Sequence, residues 1–461
     1  MILRIRPIQR SLMRHPTLSH TLPLWLLLLL APFARADVRL PSVLGSHMVL
    51  QQELPLPIWG WADPGEKVSV QLDDQAAVAT AADAKSNWRV DLAPLKTDAG
   101  KPHRLTVTGK NTVTLDDLLI GEVWLASGQS NMAKTPDKGQ LSDADQPQIR
   151  LLQVPAVQAR TFAKDVDARW AVCTPQSAGG FSAVAYFFGR RLHADLNVPI
   201  GLINASRGST AIEQFLPPSK PGDRGGGAMY NGSIAPLIPI SIRGVIWYQG
   251  EANRADGLAY AAKQQALIEG WRKLWGREFS FDLVQIAPFK GYGDKYDIPS
   301  LWEAQLSALK LPHVGVAVIN DTAGNMATIH PGNKDKVGER LALWALAKDY
   351  GHGDIEYCSP LYKSMTVEGN KIRLKFTHAQ GLKTSNGKPP VEFEVAGEDG
   401  KFVPAIATID GQDVVVEATG VAKPVKVRHA WRNTPIVNLI NGAGLPCPSF
   451  HTDNWQGGSG E

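Results

Sequence analysis

Over residues 37 to about 115, apolar and polar positions alternate in short runs closed by turn residues. Leu56-Pro-Ile-Trp-Gly-Trp leads into Asp63-Pro-Gly, then Val68-Ser-Val-Gln-Leu follows, and Arg104-Leu-Thr-Val-Thr stops at Gly109. Alternation with period two, broken by Gly, Pro and Asp, predicts a small β-sandwich. From Asp116 to about Tyr350 the texture changes. Buried-strand runs at 122–126, 245–248, 282–286 and 315–319 now alternate with stretches of helical spacing. Buried strands alternating with helices argue for an α/β layer on a mainly parallel sheet. The helix candidates are 258–275 and 334–350; in the second, Val337, Leu341, Trp344 and Ala345 recur on one face. After Gly351 short strand patterns return, in Lys371-Ile-Arg-Leu-Lys-Phe, Val391-Glu-Phe-Glu-Val and Val414-Val-Val. The domain division expected is therefore 37–115 (β-sandwich), 116–350 (α/β) and 351–461 (a second β region), with 455–461 as a loose Gly/Ser-rich tail. No repeat of fixed period runs through the chain.

Residues 1–36 stand apart. Arg4, Arg6, Arg10 and Arg14 precede an apolar stretch at 24–31, and Ala34-Arg35-Ala36 supplies a small-x-small cleavage site. The apolar stretch is too short to span a bilayer, so the segment reads as an export signal with a mature start at Asp37. That reading changes the charge. The whole chain carries 48 Lys+Arg against 44 Asp+Glu; without five arginines in 1–36 the balance is 43 against 44. A near-neutral mature chain has no electrostatic hold on nucleic acid or an anionic membrane. A periplasmic or secreted protein with a neutral or small partner is expected. Cys173, Cys358 and Cys447 are far apart, with no metal-ligand spacing, and at most one pair can bridge.

Candidate chemistry lies in four strings of the α/β region. In Gly121-Glu-Val-Trp-Leu-Ala-Ser-Gly-Gln-Ser-Asn-Met132 an apolar strand breaks at small residues. Ser130 then falls at the carboxyl edge of the sheet, with its hydroxyl exposed and its own N–H available to an oxyanion; a helix-capping serine is the alternative. Gly201-Leu-Ile-Asn-Ala-Ser-Arg-Gly-Ser-Thr210 repeats the strand-to-loop pattern, and Gly208 is placed to give a second oxyanion N–H, or simply to make a tight turn. Val245-Ile-Trp-Tyr-Gln-Gly-Glu-Ala-Asn253 delivers polar groups to another strand end, where the amide of Gln249 or Asn253 can complete an oxyanion hole. Asn320-Asp-Thr-Ala-Gly-Asn-Met-Ala-Thr-Ile-His-Pro331 places His330 on a loop before a helix, where it can serve as general base or lie solvated. Gln129, Arg207 and Glu251 flank these groups and are the candidates for contact with substrate, Glu251 as a residue that orients its loop.

These strings, with Ile329-His-Pro-Gly-Asn-Lys, occur in the order found in the sialate O-acetylesterases, within the SGNH hydrolase class, and the chain resembles that family. Met48-Val-Leu-Gln-Gln, Ile58-Trp-Gly-Trp-Ala and Ala430-Trp-Arg-Asn-Thr-Pro extend the resemblance over nearly all of the mature chain. It implies a three-layer α/β/α domain with a mainly parallel sheet, flanked by small β-sandwich regions. It implies Ser130 as nucleophile, His330 as base, Gly208 in the second block and residues 249–253 in the third. Two positions depart: Ala327 and Thr328 stand where many relatives carry an acid three or two residues before the histidine. Asp321 is then the candidate orienting acid, and a Ser/His dyad steered by a main-chain carbonyl is the alternative. The implied reaction is acetyl transfer from an O-acetylated sugar to Ser130 and then to water, with no cofactor or metal. O-acetylated sialic acid is the substrate the resemblance implies. Acetylated hemicellulose such as xylan or xyloglucan is the second possibility, and a non-catalytic glycan-binding protein, with its tryptophans stacking on sugars, is the third.

Overall fold

The structure, a computed structural model, describes residues 37–218 and 225–458; the export segment expected over 1–36 lies outside them. The apolar runs form one sheet, whose order across is Val314–Ala317, Ser280–Val284, Gly244–Tyr248, Thr112–Gly128, Ile200–Ser206, Gln146–Gln153 and Trp170–Cys173. Neighbours run parallel except the last pair, which is antiparallel.

Register decides which side chains face which layer. Trp124 lies opposite Gly244 and shares its face, whereas Trp247, three residues further along that strand, points to the other. Trp124 packs edge-on against Phe188 of helix Ala183–Leu196, with centroids 4.9 Å apart; Trp247 packs against Trp271 of helix Tyr260–Trp275 at 6.2 Å. Helix Lys334–Lys348 joins the first of these layers, its Trp344 donating Nε1–H to the Val316 carbonyl at 3.1 Å. Helices thus cover both faces of the sheet, the three-layer α/β/α arrangement expected. Burying a tryptophan on each face removes on the order of 200 Å² of ring surface from water apiece, which makes these two side chains main anchors of the layers.

The N-terminal region pairs Leu56–Trp61 with Asn87–Leu92, and Lys67–Leu72 with Val78–Ala81 and His103–Thr108. The next strand, Thr112–Gly128, is 17 residues long. Its first residues complete that β layer and its last residues form the middle of the parallel sheet. The expected boundary at 115/116 falls inside this strand, and one apolar core runs from the N-terminal β layer into the α/β layers. The C-terminal strands form two further four-stranded sheets around a second core that includes Ile372, Leu374, Val395, Val416 and Phe450.

Two details differ from the sequence reading. The runs at 282–286 and 315–319 leave the sheet at Val284 and Ala317, because their last residues begin the loops at its carboxyl edge. The chain end is docked as far as it is described. The buried carboxylate of Glu303 accepts from Gln456 N and from His451 Nε2 (3.1 Å), and Gly458 N donates to the Leu306 carbonyl at 3.2 Å. All three cysteines are buried free thiols.

Candidate active site

The turn that carries Ser130 follows from one glycine. Gly128 closes the central strand at φ +133°, and a Cβ there would lie 2.2 Å from the Tyr248 carbonyl oxygen, so no other residue fits. Main-chain bonds knit this point to both neighbours: Gln129 N donates to Tyr248 O, and Arg207 N to Gly128 O, each at 3.0 Å. The chain then enters the short helix Ser130–Ala133. Ser130 therefore stands at the carboxyl edge of the sheet between two strand ends, where sheets of this type bind ligands.

His330 reaches it from the far edge strand. The loop after Val314–Ala317 crosses the top of the sheet, and His330 Nε2 lies 2.9 Å from Ser130 Oγ. With the proton assigned to Nδ1, the serine hydroxyl donates to Nε2, the geometry a general base requires. Partial desolvation by the loop around it, then the charges of Lys334 and Lys134, hold the pKa of the solvent-exposed His330 below its usual value. Gly208 is the third group at this point. A Cβ built on it would lie 3.7 Å from Ser130 Cβ, and neither its N–H nor that of Ser130 bonds another group among the described residues. Two free N–H groups beside a serine hydroxyl can receive an oxyanion.

The remaining expected residues are placed differently. The carboxylate of Asp321 is held by Arg340, with Oδ1 to Nη1 at 2.6 Å and Oδ2 to Nη2 at 2.7 Å; no hydrogen bond joins it to His330. Gln249 is fully buried, and its amide nitrogen is occupied by Asn253 Oδ1 (2.8 Å), Gln129 Oε1 (3.0 Å) and Thr210 O (3.2 Å). Tyr260 fixes the amide orientation by donating its hydroxyl to Gln249 Oε1 at 2.7 Å. Asn253 is also spent: its oxygen accepts from Ile212 N, and its nitrogen donates to Asp256 and Glu213. Both amides brace the loops beneath the site. Gln129, whose oxygen also accepts from Ala252 N, and Glu251 are buried as well, so of the three substrate-contact candidates only Arg207 is part-exposed.

Sequence reasoning passed over Asn131 and Lys334, although both lie inside the strings it singled out. Asn131 Nδ2 donates to Glu251 Oε1 and, at 3.0 Å, to the Ile329 carbonyl; its Oδ1 accepts from Lys334 Nζ at 2.5 Å. Burial pulls the Lys334 ammonium down to a pKa of about 8, and burial raises that of Glu251. Beside the first half of the histidine loop a cleft of about 720 Å³ opens, with Lys290, Asn320, Asp321, Met326, Arg432 and Ile436 on its walls. Among the described residues no group of three His, Cys, Asp or Glu side chains is arranged to hold a metal ion.

Comparison with known proteins decides the family. The chain is 30% identical to human sialate O-acetylesterase over 90% of both chains, and 29% identical to the rat enzyme over 89% of this chain and 93% of that one. The chain belongs to the sialate O-acetylesterase family. Residues 120–347 match the family described as carbohydrate esterase, sialic acid-specific acetylesterase. A crystal structure of a carbohydrate acetylesterase from Xanthomonas citri superposes with a TM-score of 0.84 at 38% identity, covering 91% of this chain and all of that one. As a family member the chain is a carbohydrate acetylesterase, a hydrolase of carboxylic esters with a sugar substrate. The family segment spans the sheet, Ser130, Gly208, residues 249–253 and His330, the region where the geometry converges.

Proposed function

We propose that this carbohydrate acetylesterase works through Ser130 as nucleophile and His330 as general base. The observation that carries the reading is the 2.9 Å contact between His330 Nε2 and Ser130 Oγ, made at the sheet edge beside two unengaged N–H groups. Ser130 Oγ attacks the acetyl carbonyl carbon while His330 takes its proton. The oxygen of the tetrahedral intermediate becomes an anion between the N–H groups of Ser130 and Gly208. Its collapse breaks the bond to the sugar oxygen, which leaves with the proton from His330. Water, deprotonated by the same imidazole, then attacks the acetyl-Ser130 ester and releases acetate. Asp321 stays with Arg340 throughout, and the imidazole is steered by its main chain.

For the substrate, the family description and the names of the mammalian relatives favour O-acetylated sialic acid. Acetylated hemicellulose is the second reading. The cleft beside the histidine loop offers polar and apolar walls to the rest of a glycan. The test is acetate release from O-acetylated sialic acid, acetylated xylan and acetylated xyloglucan by wild type and Ser130→Ala. Release from the sialic acid alone supports the first reading; release from the polysaccharides alone replaces it with the second. The export features of residues 1–36 favour the periplasm or the outside of the cell, and N-terminal sequencing of the mature protein, expected to begin at Asp37, tests that. Among the described residues no helix is long and apolar enough to cross a membrane.

A further inference from the structure

We infer that Asn131, Lys334 and Glu251 form a buried positioning unit that holds the Ser130–His330 pair through the main chain, in the place a carboxylate on the imidazole would otherwise fill. The inference rests on the Ser130/His330 reading above.

The three side chains come from three segments that meet under the site: the nucleophile helix, the turn after Gly244–Tyr248 and the helix after the histidine loop. All are buried, Asn131 to 0% exposure, Lys334 to 2% and Glu251 to 3%. Burying an ammonium and a carboxylate is expensive, and well-packed apolar side chains of similar volume would be as stable or more so. The arrangement is polar because of what Asn131 does with both ends of its amide. Its nitrogen is shared between Glu251 Oε1 and the carbonyl of Ile329, and its oxygen is taken by Lys334 Nζ. Asn131 follows the nucleophile and Ile329 precedes the base. One amide therefore ties the peptide after Ser130 to the peptide before His330, which fixes how the imidazole meets the hydroxyl. Lys334 and Glu251 fix which way that amide faces. An ammonium on the oxygen and a carboxylate on the nitrogen exclude the flipped rotamer. Tyr248 closes the back, its ring centre 5.1 Å from Lys334 Nζ. Glu251 Oε2 is buried with no partner. That leaves a cost which a purely structural plug would not need to carry.

The unit also has an electrostatic side. The charged groups bearing on His330 are Lys334, four residues onward at the start of the next helix, and Lys134, just past the helix that begins at Ser130; the Glu251 carboxylate bears on Lys334. Both lysines oppose a proton on the imidazole and keep it available as a base.

The test uses the full mature protein and 4-nitrophenyl acetate, with thermal unfolding measured beside kinetics over pH. Asn131→Ala is expected to lose about 100-fold in kcat, the scale of a small misplacement of reacting groups, with KM nearly unchanged because Asn131 does not touch substrate. Asn131→Asp keeps an acceptor for Lys334 and removes the donor to Ile329; it carries the same expectation and decides the matter if the alanine variant does not fold. Lys334→Met should move the acid limb of kcat/KM to higher pH, and Lys334→Arg should bring it back. Wild-type kcat in a folded Asn131→Ala or Asn131→Asp overturns the inference, as does an acid limb that Lys334→Met leaves in place. Undiminished turnover in Ser130→Ala, run in parallel, would instead remove the underlying reading.

Discussion

Asn131 donates its side-chain N–H to the carbonyl of Ile329 at 3.0 Å, so the residue after Ser130 grips the residue before His330. Most serine hydrolases orient their histidine with an acid on the second ring nitrogen. Here the nearest sequence candidate, Asp321, forms a bidentate pair with Arg340, and that contrast gives the first prediction.

Asp321→Asn separates the two roles. An acid that orients a catalytic imidazole costs about 10⁴-fold in kcat when amidated. With the carboxylate bound to Arg340 instead, the variant should keep kcat within roughly tenfold and lose about 1–3 kcal/mol of stability, the worth of hydrogen bonds to a charged group. Urea unfolding and steady-state kinetics on one preparation measure both.

Gln249→Ala should behave as a bracing substitution. Its amide nitrogen already serves Asn253, Gln129 and Thr210, so truncation leaves buried polar groups unpaired at about 1–3 kcal/mol each. We expect a lower unfolding midpoint together with lower turnover. A variant of unchanged stability that loses about 100-fold in kcat alone would identify Gln249 as a direct oxyanion donor after all.

How much of this was legible beforehand follows from the kind of signal each part leaves. Continuous apolar runs such as 245–248 and helical spacing around Trp344 are local, so the parallel sheet and its covering helices could be read from them. Ser130 and Gly208 were reachable because each sits where a strand breaks, and His330 because it lies on a loop between a strand and a helix. The partners of Asp321 and Gln249 were not, since Arg340 and Tyr260 are ordinary helix residues whose side chains meet them only after folding. Asn131 and Lys334 lay within reach but were read past, because an amide and a lysine beside a serine and a histidine look like solvated neighbours until burial shows otherwise. The division drawn near residue 115 met a similar limit: a composition shift marks where a layer changes, and one long strand can serve both layers.

The pH dependence of catalysis has a fixed sign. Partial desolvation and the two lysines lower the His330 pKa, so the imidazole stays neutral at more acidic pH than a free histidine. The acid limb of kcat/KM on a small acetyl ester should lie below the usual histidine range. A limb at or above that range would contradict the assignment of His330 as the base in this environment.

A second pH effect belongs to stability and lies at the opposite edge of the sheet. Burial and its neighbour Asp349 raise the pKa of Asp282, and burial pushes that of Asp349 up to about 6. Raised acids hold protons in the folded state that the unfolded chain releases. Their contribution is complete below the unfolded value of about 3.9 and is lost as pH rises above it, for Asp349 until about pH 6. Asp282→Asn should therefore raise the unfolding midpoint at pH 8 by roughly 2–4 °C and leave it nearly unchanged at pH 3.5. Calorimetry at the two pH values checks the difference, and an equal effect at both would contradict it.

The central claim is that Ser130 carries the acetyl group between sugar and water. Rapid-quench mass spectrometry after mixing the mature protein with 4-nitrophenyl acetate tests it most directly. The account predicts transient acetylation of the peptide that contains Ser130, no acetylation and no turnover in Ser130→Ala, and turnover reduced by several orders of magnitude in His330→Ala. Acetate production by a folded Ser130→Ala, or an acetyl group trapped on any other side chain during turnover, would contradict it.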